Sequence, residues 1–531
     1  MKYPIGVQSF ETFRQEGYVY VDKTDLIYKL AQGHIYFLAR PRRFGKSLLV
    51  STLKCYFEGR RDLFEGLKMM GLEQEWVKYP VISFDFNGVM LSDPSGLATY
   101  LTYVVENTEQ AYGVTPVVVS DLAQRFRYLI ESLHRETGQR VVVLIDEYDK
   151  PLLDLMESDR PGDEQLLEAN RELLKVFFSV FKAADDHLRF VLLTGITKFS
   201  QVSMFSGFNQ PDDISLDARY DTLLGITEEE LHTVFAESIK ECAGSWNKSD
   251  AEVRQLLKAR YDGYHFSERL KDVYNPFSII NAFSKMRLKD YWFSSGTPSY
   301  LVRLLGHSQE DIMQYTHQDY MVDEFVNYKA DTAKPLPMIF QAGYLTIKSY
   351  DPDFETYTLD FPNQEVKQGL LTLLANDYLG LKGSATSWVQ KIVKSLRAAD
   401  LEQTRRLFTS FLAETPYAMR PKKDQKDREL YFHYTFYLIM RLISCYTVYT
   451  EKQLSEGRAD CIVETGDYVY ILEFKLDGTA QEALQQIRDK GYAKAYEADA
   501  RALYIIGVSF SSKTGTIDEW EAIPQVRHLR T

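Results

Sequence analysis

With 531 residues, 45% of them hydrophobic and 14% aromatic, the chain is too long for a single core and too apolar to be disordered; the length prior points to three or four domains. A net charge of −13 excludes a generic nucleic-acid coat, so any DNA or RNA contact must use a local basic groove. Four scattered cysteines without a C-x-x-C pair argue against a zinc site or disulfide framework, and with neither an apolar leader nor a membrane-length apolar run, a cytoplasmic protein with no membrane partner is expected.

In chain order, residues 18–21 read as a short strand, and Asp22-Lys23-Thr24 as the cap of a helix built on Leu26, Ile27 and Leu30. A buried strand over 35–39 then meets Arg40-Pro41-Arg42-Arg43-Phe44-Gly45-Lys46-Ser47, followed by the first turns of a helix. Strand, loop, Gly-Lys-Ser and helix form the layout of a phosphate-binding loop. Backbone N–H groups at the helix start face the anion, Lys46 reaches the terminal phosphates, and the Ser47 hydroxyl ligates Mg²⁺. Arg40 stands where the motif has its first Gly, and Pro41 with its fixed φ offers another path for the loop; the alternative is a basic surface turn.

Residues 81–86 predict a second strand, and residues 97–136 helices broken near Gly113–Pro116. Five consecutive β-formers, Val141-Val142-Val143-Leu144-Ile145, predict a strand buried on both faces, and Asp146-Glu147 at its C-terminal end lies where open α/β sheets bind ligands. In a Walker-B arrangement Asp146 holds Mg²⁺ and Glu147 orients and deprotonates the attacking water. A third strand ends at Thr194, a candidate for sensing the γ-phosphate or for satisfying backbone at the strand end.

Together with Tyr18-Val19-Tyr20-Val21-Asp22-Lys23-Thr24, Asp146-Glu147-Tyr148-Asp149 and Thr194-Gly195-Ile196-Thr197-Lys198-Phe199-Ser200, the phosphate loop resembles the blocks of AAA-ATPase-like proteins that carry a nuclease domain at the other end. The resemblance spans roughly residues 3–380 and implies an ATP-binding site using Arg42, Arg43, Phe44, Gly45, Lys46, Ser47, Asp146 and Thr194, with Arg in place of the first Gly as the family's usual form. From Leu224 the pattern becomes helical, with a capping box at Thr227 and Glu230; this region reads as a lid in which His265 and Trp292 pack, and Arg219 is the first arginine to consider for reaching the γ-phosphate. Residues 331–380 read as a small mixed segment, with a boundary near Gly380 to Gly383.

Farther on come helices over 386–416, a basic run from Arg420 to Arg428, and an apolar helix over 429–443. If 459–463 and 468–475 form a hairpin around Thr465-Gly466, Asp460 lies opposite Ile471 and shares one face with Glu473 and Lys475. Two carboxylates and an ammonium on an apolar hairpin need a partner, and a divalent metal fits; the alternative is a charged edge hairpin with a surface ion pair. This segment, about 417–521, resembles the PD-(D/E)XK nuclease superfamily. The resemblance implies metal ligation by Asp460 and Glu473, catalysis with Lys475, and a polar helix position at Gln486. It also implies an extra acidic residue at Glu429, with Glu451 as rival, while Tyr492 departs from the spacing of some relatives.

The expected fold class is therefore α/β: a P-loop NTPase-type, mostly parallel sheet flanked by helices (1–225), a helical lid with a small mixed subdomain (226–385), and a C-terminal restriction-endonuclease-like domain (386–531). The expected ligands are ATP, Mg²⁺ (or Mn²⁺ at the nuclease site), and DNA or RNA, with self-association left open. The competing function is a nucleotide-dependent switch or adaptor, in defence or mobile-element biology, whose nuclease-like domain binds nucleic acid without cutting it.

Overall fold

The computed structural model describes residues 1–89, 93, 95–117, 119, 121–156, 158, 160–198, 211–296, 315–326, 335–378, 385–414, 448–450, 453–454, 457–458, 461–496 and 499–525. The chain divides into two compact units, Met1–Val366 and Lys367–Thr531.

The first unit is built on five parallel strands: β1 (Ile35–Ala39), β2 (Val81–Asp85), β3 (Val141–Asp146), β4 (Leu188–Gly195) and β5 (Asp212–Asp213), in the order β2-β3-β4-β1-β5. Strands covered on both faces need apolar side chains at every position, and all of β1 and β3 is buried. Of the early helices α1 (Phe10–Gln15), α2 (Thr24–Ala31) and α3 (Lys46–Phe57), the last two cover one face, where Tyr36, Leu38, Val142, Leu144, Phe190 and Leu192 share a core with Leu30, Leu49 and Leu53. After α4 (Gly96–Tyr112), helix α5 (Leu122–Thr137), the short α6 (Lys150–Met156) and the long α7 (Asp163–Ala183) follow. On the opposite face Phe84 packs edge-on against Phe126 of α5 and Phe177 of α7, both at 5.6 Å. Residues 18–21 are not a strand: Val19 N bonds the Lys2 carbonyl (2.9 Å), but no ladder follows.

Around β6 (Ile226–Thr227) and its antiparallel partner β7 (Val273–Tyr274) lie helices Glu228–Val234, Ala236–Trp246, Asp250–Tyr261 and Pro276–Lys285. The capping box at Thr227 and Glu230 is present, and a second closes Ser249 onto Glu252. Lys23 on the lead-in pairs with Glu230 at 2.8 Å, tying these helices to the segment before β1. A three-stranded antiparallel sheet, β8 (Asp319–Met321), β10 (Thr356–Asp360) and β9 (Thr346–Asp351), completes the unit.

After helix Gln364–Tyr378, which runs across the division, the second unit continues with helices Ala385–Arg397 and Leu401–Glu414, joined by Trp388 against Phe411 (4.1 Å). Its mixed sheet runs β11 (Val448–Thr450), β14 (Cys461–Glu464), β15 (Tyr468–Leu476), β16 (Ala502–Phe510) and β17 (Ile517–Pro524), beside a small pair, β12 (Gln453–Leu454) and β13 (Gly457–Arg458). Among the described strands of this sheet, β15 and β16 alone pair in parallel, because helix Ala480–Asp489 crosses between them. That helix packs on the face carrying Val469, Ile471, Leu503 and Ile505. On the other face Tyr470 donates its hydroxyl to the Leu396 carbonyl (2.6 Å). The expected boundary at 380–383, the basic run and the helix over 429–443 lie outside the described residues. Among the described residues no helix is long and apolar enough to cross a membrane.

Candidate functional site

The loop after β1 is not a surface turn. Arg40 is 1% exposed, and its guanidinium donates to the carbonyls of Ala39 (3.0 Å), Ser215 and Tyr220 (3.4 Å) while lying 4.1 Å over the Phe266 ring. Burial drops this guanidinium to about 9, against the pull of Asp213 and Asp221. Phe44 packs edge-on to Tyr264 and Phe266 and also lines the apolar cavity described below. Two residues of the loop have left-handed backbone, Arg43 (φ 66) and Gly45 (φ 101), so the chain coils tightly before α3 without a glycine at position 40.

Lys46, the first residue of α3, donates Nζ to the carbonyls of Arg40 (2.9 Å) and Pro41 (3.2 Å). Burial lowers its affinity for the proton, opposed by Glu147, Asp146 and Asp149. These carboxylates come from the turn after β3. Asp146 accepts from the Thr194 hydroxyl at 2.6 Å, which places Thr194 on the neighbouring carboxylate. Glu147 has φ 52, strained for a residue with a side chain; Tyr148 N, bonded to the Thr194 carbonyl (3.0 Å), fixes the next peptide. Burial raises the Glu147 carboxyl despite the pull of Lys46.

Arg42, Arg43, Gly45, Lys46, Ser47 and Glu147 line one cavity of about 480 Å³, which also takes in Asp85 and Asn87 at the end of β2. A second, apolar cavity of about 110 Å³ shares Gly45, Leu48 and Pro276 with it and is lined by Val19, Tyr20 and Leu49. Arg219 does not line the cleft; its guanidinium is held by Asp217 (2.5 Å) and Asp212 (3.2 Å).

Sequence reasoning missed Asp149, Asp85, Asn87 and the role of Trp292. Asp149 accepts from Ile196 N (2.8 Å), Thr197 N (2.6 Å) and the Thr197 hydroxyl (2.8 Å), clamping the turn after β4 to the turn after β3. Its position two residues after Glu147 was the available signal. Trp292 does more than pack, since its indole donates to the Arg42 carbonyl (2.8 Å), whereas His265 bonds Asp272 and the Ile347 carbonyl, both at 2.6 Å.

In the second unit the hairpin register differs from the expected one. Ile462 lies opposite Ile471, where Asp460 was expected, and the turn spans residues 465–468. Thr465 causes the shift: its hydroxyl accepts from Tyr468 N (3.0 Å) and its N–H donates to the Tyr468 carbonyl (2.8 Å), while Arg501 holds its carbonyl (3.2 Å). A shift of two residues leaves side-chain faces unchanged. Glu473 and Lys475 accordingly share the Val469 and Ile471 face, on which helix Ala480–Asp489 packs. There Gln486 joins them, donating to Glu473 and accepting from Lys475 Nζ at 2.5 Å. Glu473 is 1% exposed. Asp460, Glu429 and Glu451 lie outside the described residues, and Tyr492 is buried in the core beside Ile487.

The helix reaches this close because Gly507 stands opposite Glu473 in β16. A Cβ at position 507 would lie 2.1 Å from the Ala480 carbonyl oxygen. Among the described residues no three His, Cys, Asp or Glu side chains gather into a metal cage. Mg²⁺ is instead usually held by one or two carboxylates together with substrate phosphate and water, which suits the sparse oxygen donors of both sites.

The sequence model of a family described as predicted AAA-ATPase matches residues 4–205, and that of the PD-(D/E)XK nuclease superfamily matches residues 427–520. Over 525 residues the chain is 36% identical to an Azotobacter chroococcum mcd 1 protein described as "Uncharacterized protein in vnfD 5'region", covering 97% of this chain and 98% of the relative.

Proposed function

Because the chain belongs to the AAA-ATPase-like family with a C-terminal PD-(D/E)XK nuclease-superfamily domain, we propose that it binds and hydrolyses ATP in its first unit and cleaves DNA or RNA phosphodiesters in its second. The observation that carries the reading is the convergence of Lys46, Ser47 and Glu147 on one cleft where the phosphate loop meets the ends of β2 and β3. The phosphates lie against the loop N–H groups and Lys46, with Arg42 and Arg43 at the cleft wall, and the adjoining apolar cavity takes the base. Glu147 accepts the proton of the attacking water at its carboxylate, and its raised proton affinity suits that task. Thr194 fixes the orientation of Asp146.

In the second unit Gln486 orients Glu473 and Lys475, and Lys475 Nζ meets the charge that develops on the scissile phosphate. Divalent cations held by Ser47 and Asp146, and by Glu473 with Asp460, would supply charge neutralisation at phosphate oxygens and a more acidic water.

The test is an Mg²⁺/Mn²⁺ cleavage assay on single- and double-stranded DNA and RNA, with and without ATP, paired with ATP turnover. Cleavage should need metal and vanish in Asp460→Ala and Lys475→Ala; turnover should vanish in Lys46→Ala and Glu147→Gln. Cutting that persists in both nuclease variants removes the proposed nuclease chemistry. Nucleic-acid binding without cleavage across the whole panel supports the switch reading instead.

A further inference from the structure

The phosphate loop is held by a collar of aromatic side chains. Phe266 lies over Arg40, Trp292 bonds the Arg42 carbonyl, Phe277 sits 5.0 Å below the Arg43 guanidinium, and Tyr264 and Phe266 flank Phe44. Pro41 fills the space beside Gly343: a Cβ there would lie 2.7 Å from the proline ring, and its φ of 90 disfavours any other residue.

One of these contacts is directional. An anion-binding loop works only if its N–H groups face the anion and its carbonyls face elsewhere. Across a trans peptide the carbonyl of one residue and the N–H of the next point in opposite directions. With the Arg42 carbonyl turned to the indole (2.8 Å), the Arg43 N–H is turned away from Trp292, and Arg43 lines the cleft.

Trp292 is itself held in place. Its backbone N–H donates to Glu365 Oε1 at 2.7 Å, and Ser278 Oγ donates to Glu365 Oε2 at 2.7 Å. Glu365 is 1% exposed, in the first turn of helix Gln364–Tyr378. Ser278 belongs to helix Pro276–Lys285, whose Pro276, Phe277 and Ile280 line the same cleft. Burial pushes Glu365 up to about 7, against the hydrogen bonds from Ser278 and the Trp292 N–H. A buried carboxyl joining a loop-bonding tryptophan to a cleft helix is more than core packing requires, since an apolar residue would fill that space without the cost of burying a polar group.

We infer that Trp292 is a positioning residue for the phosphate loop, that Glu365 sets Trp292, and that affinity for nucleotide phosphates therefore depends on an indole N–H outside the nucleotide cleft. The inference rests on the ATP-binding reading above. The loop holds phosphates alike in ground and transition states, so loss of the contact should raise Kd and leave kcat nearly unchanged.

The experiment measures Kd for a fluorescent ATP analogue with Mg²⁺, together with kcat and Tm, on the full chain and its Trp292→Phe, Glu365→Gln, Glu365→Ala and Lys46→Ala variants. Trp292→Phe keeps the ring and removes the N–H, and should weaken binding about tenfold, the upper range for one hydrogen bond. Glu365→Gln retains an oxygen for the Trp292 N–H and should rescue affinity to within about twofold, whereas Glu365→Ala should follow Trp292→Phe. Wild-type affinity in Trp292→Phe, with binding lost in Lys46→Ala, overturns this inference and leaves the nucleotide site standing, even if Tm falls. Glu365→Gln binding as weakly as Glu365→Ala also overturns it. Wild-type affinity in Lys46→Ala removes the nucleotide reading and this inference with it.

Discussion

Replacing Arg40 with glycine restores the residue that phosphate-loop motifs ordinarily carry, yet the structure predicts a weaker protein. The guanidinium serves three carbonyls and the Phe266 ring, and it faces Asp213 and Asp221. Removing one side of such a buried charge network typically costs about 3–5 kcal/mol, even though relief of the buried cation offsets part of the loss. Unfolding entropy of about 2.1 cal/mol/K per residue, over the unit Met1–Val366, converts this to a Tm lower by about 4–7 °C. Differential scanning fluorimetry of the full chain reads the shift, and a fluorescent ATP analogue reads the loop. Arg40→Gly should melt earlier and bind more weakly. If it melts with the wild type and binds ATP as tightly or more so, Arg40 is not what fastens the loop.

Thr194→Val keeps the side-chain shape and removes the 2.6 Å bond to Asp146, so ATP turnover should fall about ten- to hundredfold with nucleotide affinity little changed; unchanged turnover would detach Thr194 from the site. Asp262 is buried with Lys258 Nζ 3.5 Å away, and burial, reinforced by Asp272, pushes it up to about 6 from an ordinary 3.8. The folded chain binds this proton more tightly, so its contribution to stability falls as pH rises from about 4 to 6, by about 3 kcal/mol. Asp262→Asn should raise Tm at pH 7 and lose that advantage toward pH 4; lower stability at every pH would contradict the reasoning. Gly507→Ala forces helix Ala480–Asp489 off the sheet and should abolish cleavage while ATP turnover continues, which parallel assays would reveal; cleavage at the wild-type rate would sever Gln486 from the site.

Much of this molecule is legible in the order of its residues. A run of β-formers such as Val141–Ile145 leaves no polar face, so it specifies a strand covered on both sides. Local hydrogen-bonding chemistry specifies the capping box at Thr227. Strand alternation alone puts Glu473 and Lys475 on one face, because residues two apart on one strand share a face whatever the register of the hairpin.

What the tertiary structure decided are the contacts between distant segments. That Arg40 is buried depends on Ser215, Tyr220 and Phe266; that Thr194 serves Asp146 depends on β3 and β4 being neighbours; that Trp292 turns the Arg42 carbonyl depends on a helix about 250 residues later. Periodicity and motif spacing encode each residue's nearest neighbours along the chain. They do not encode which carbonyl a buried donor will find, because that choice is made only when separate elements pack and every enclosed polar group must be satisfied.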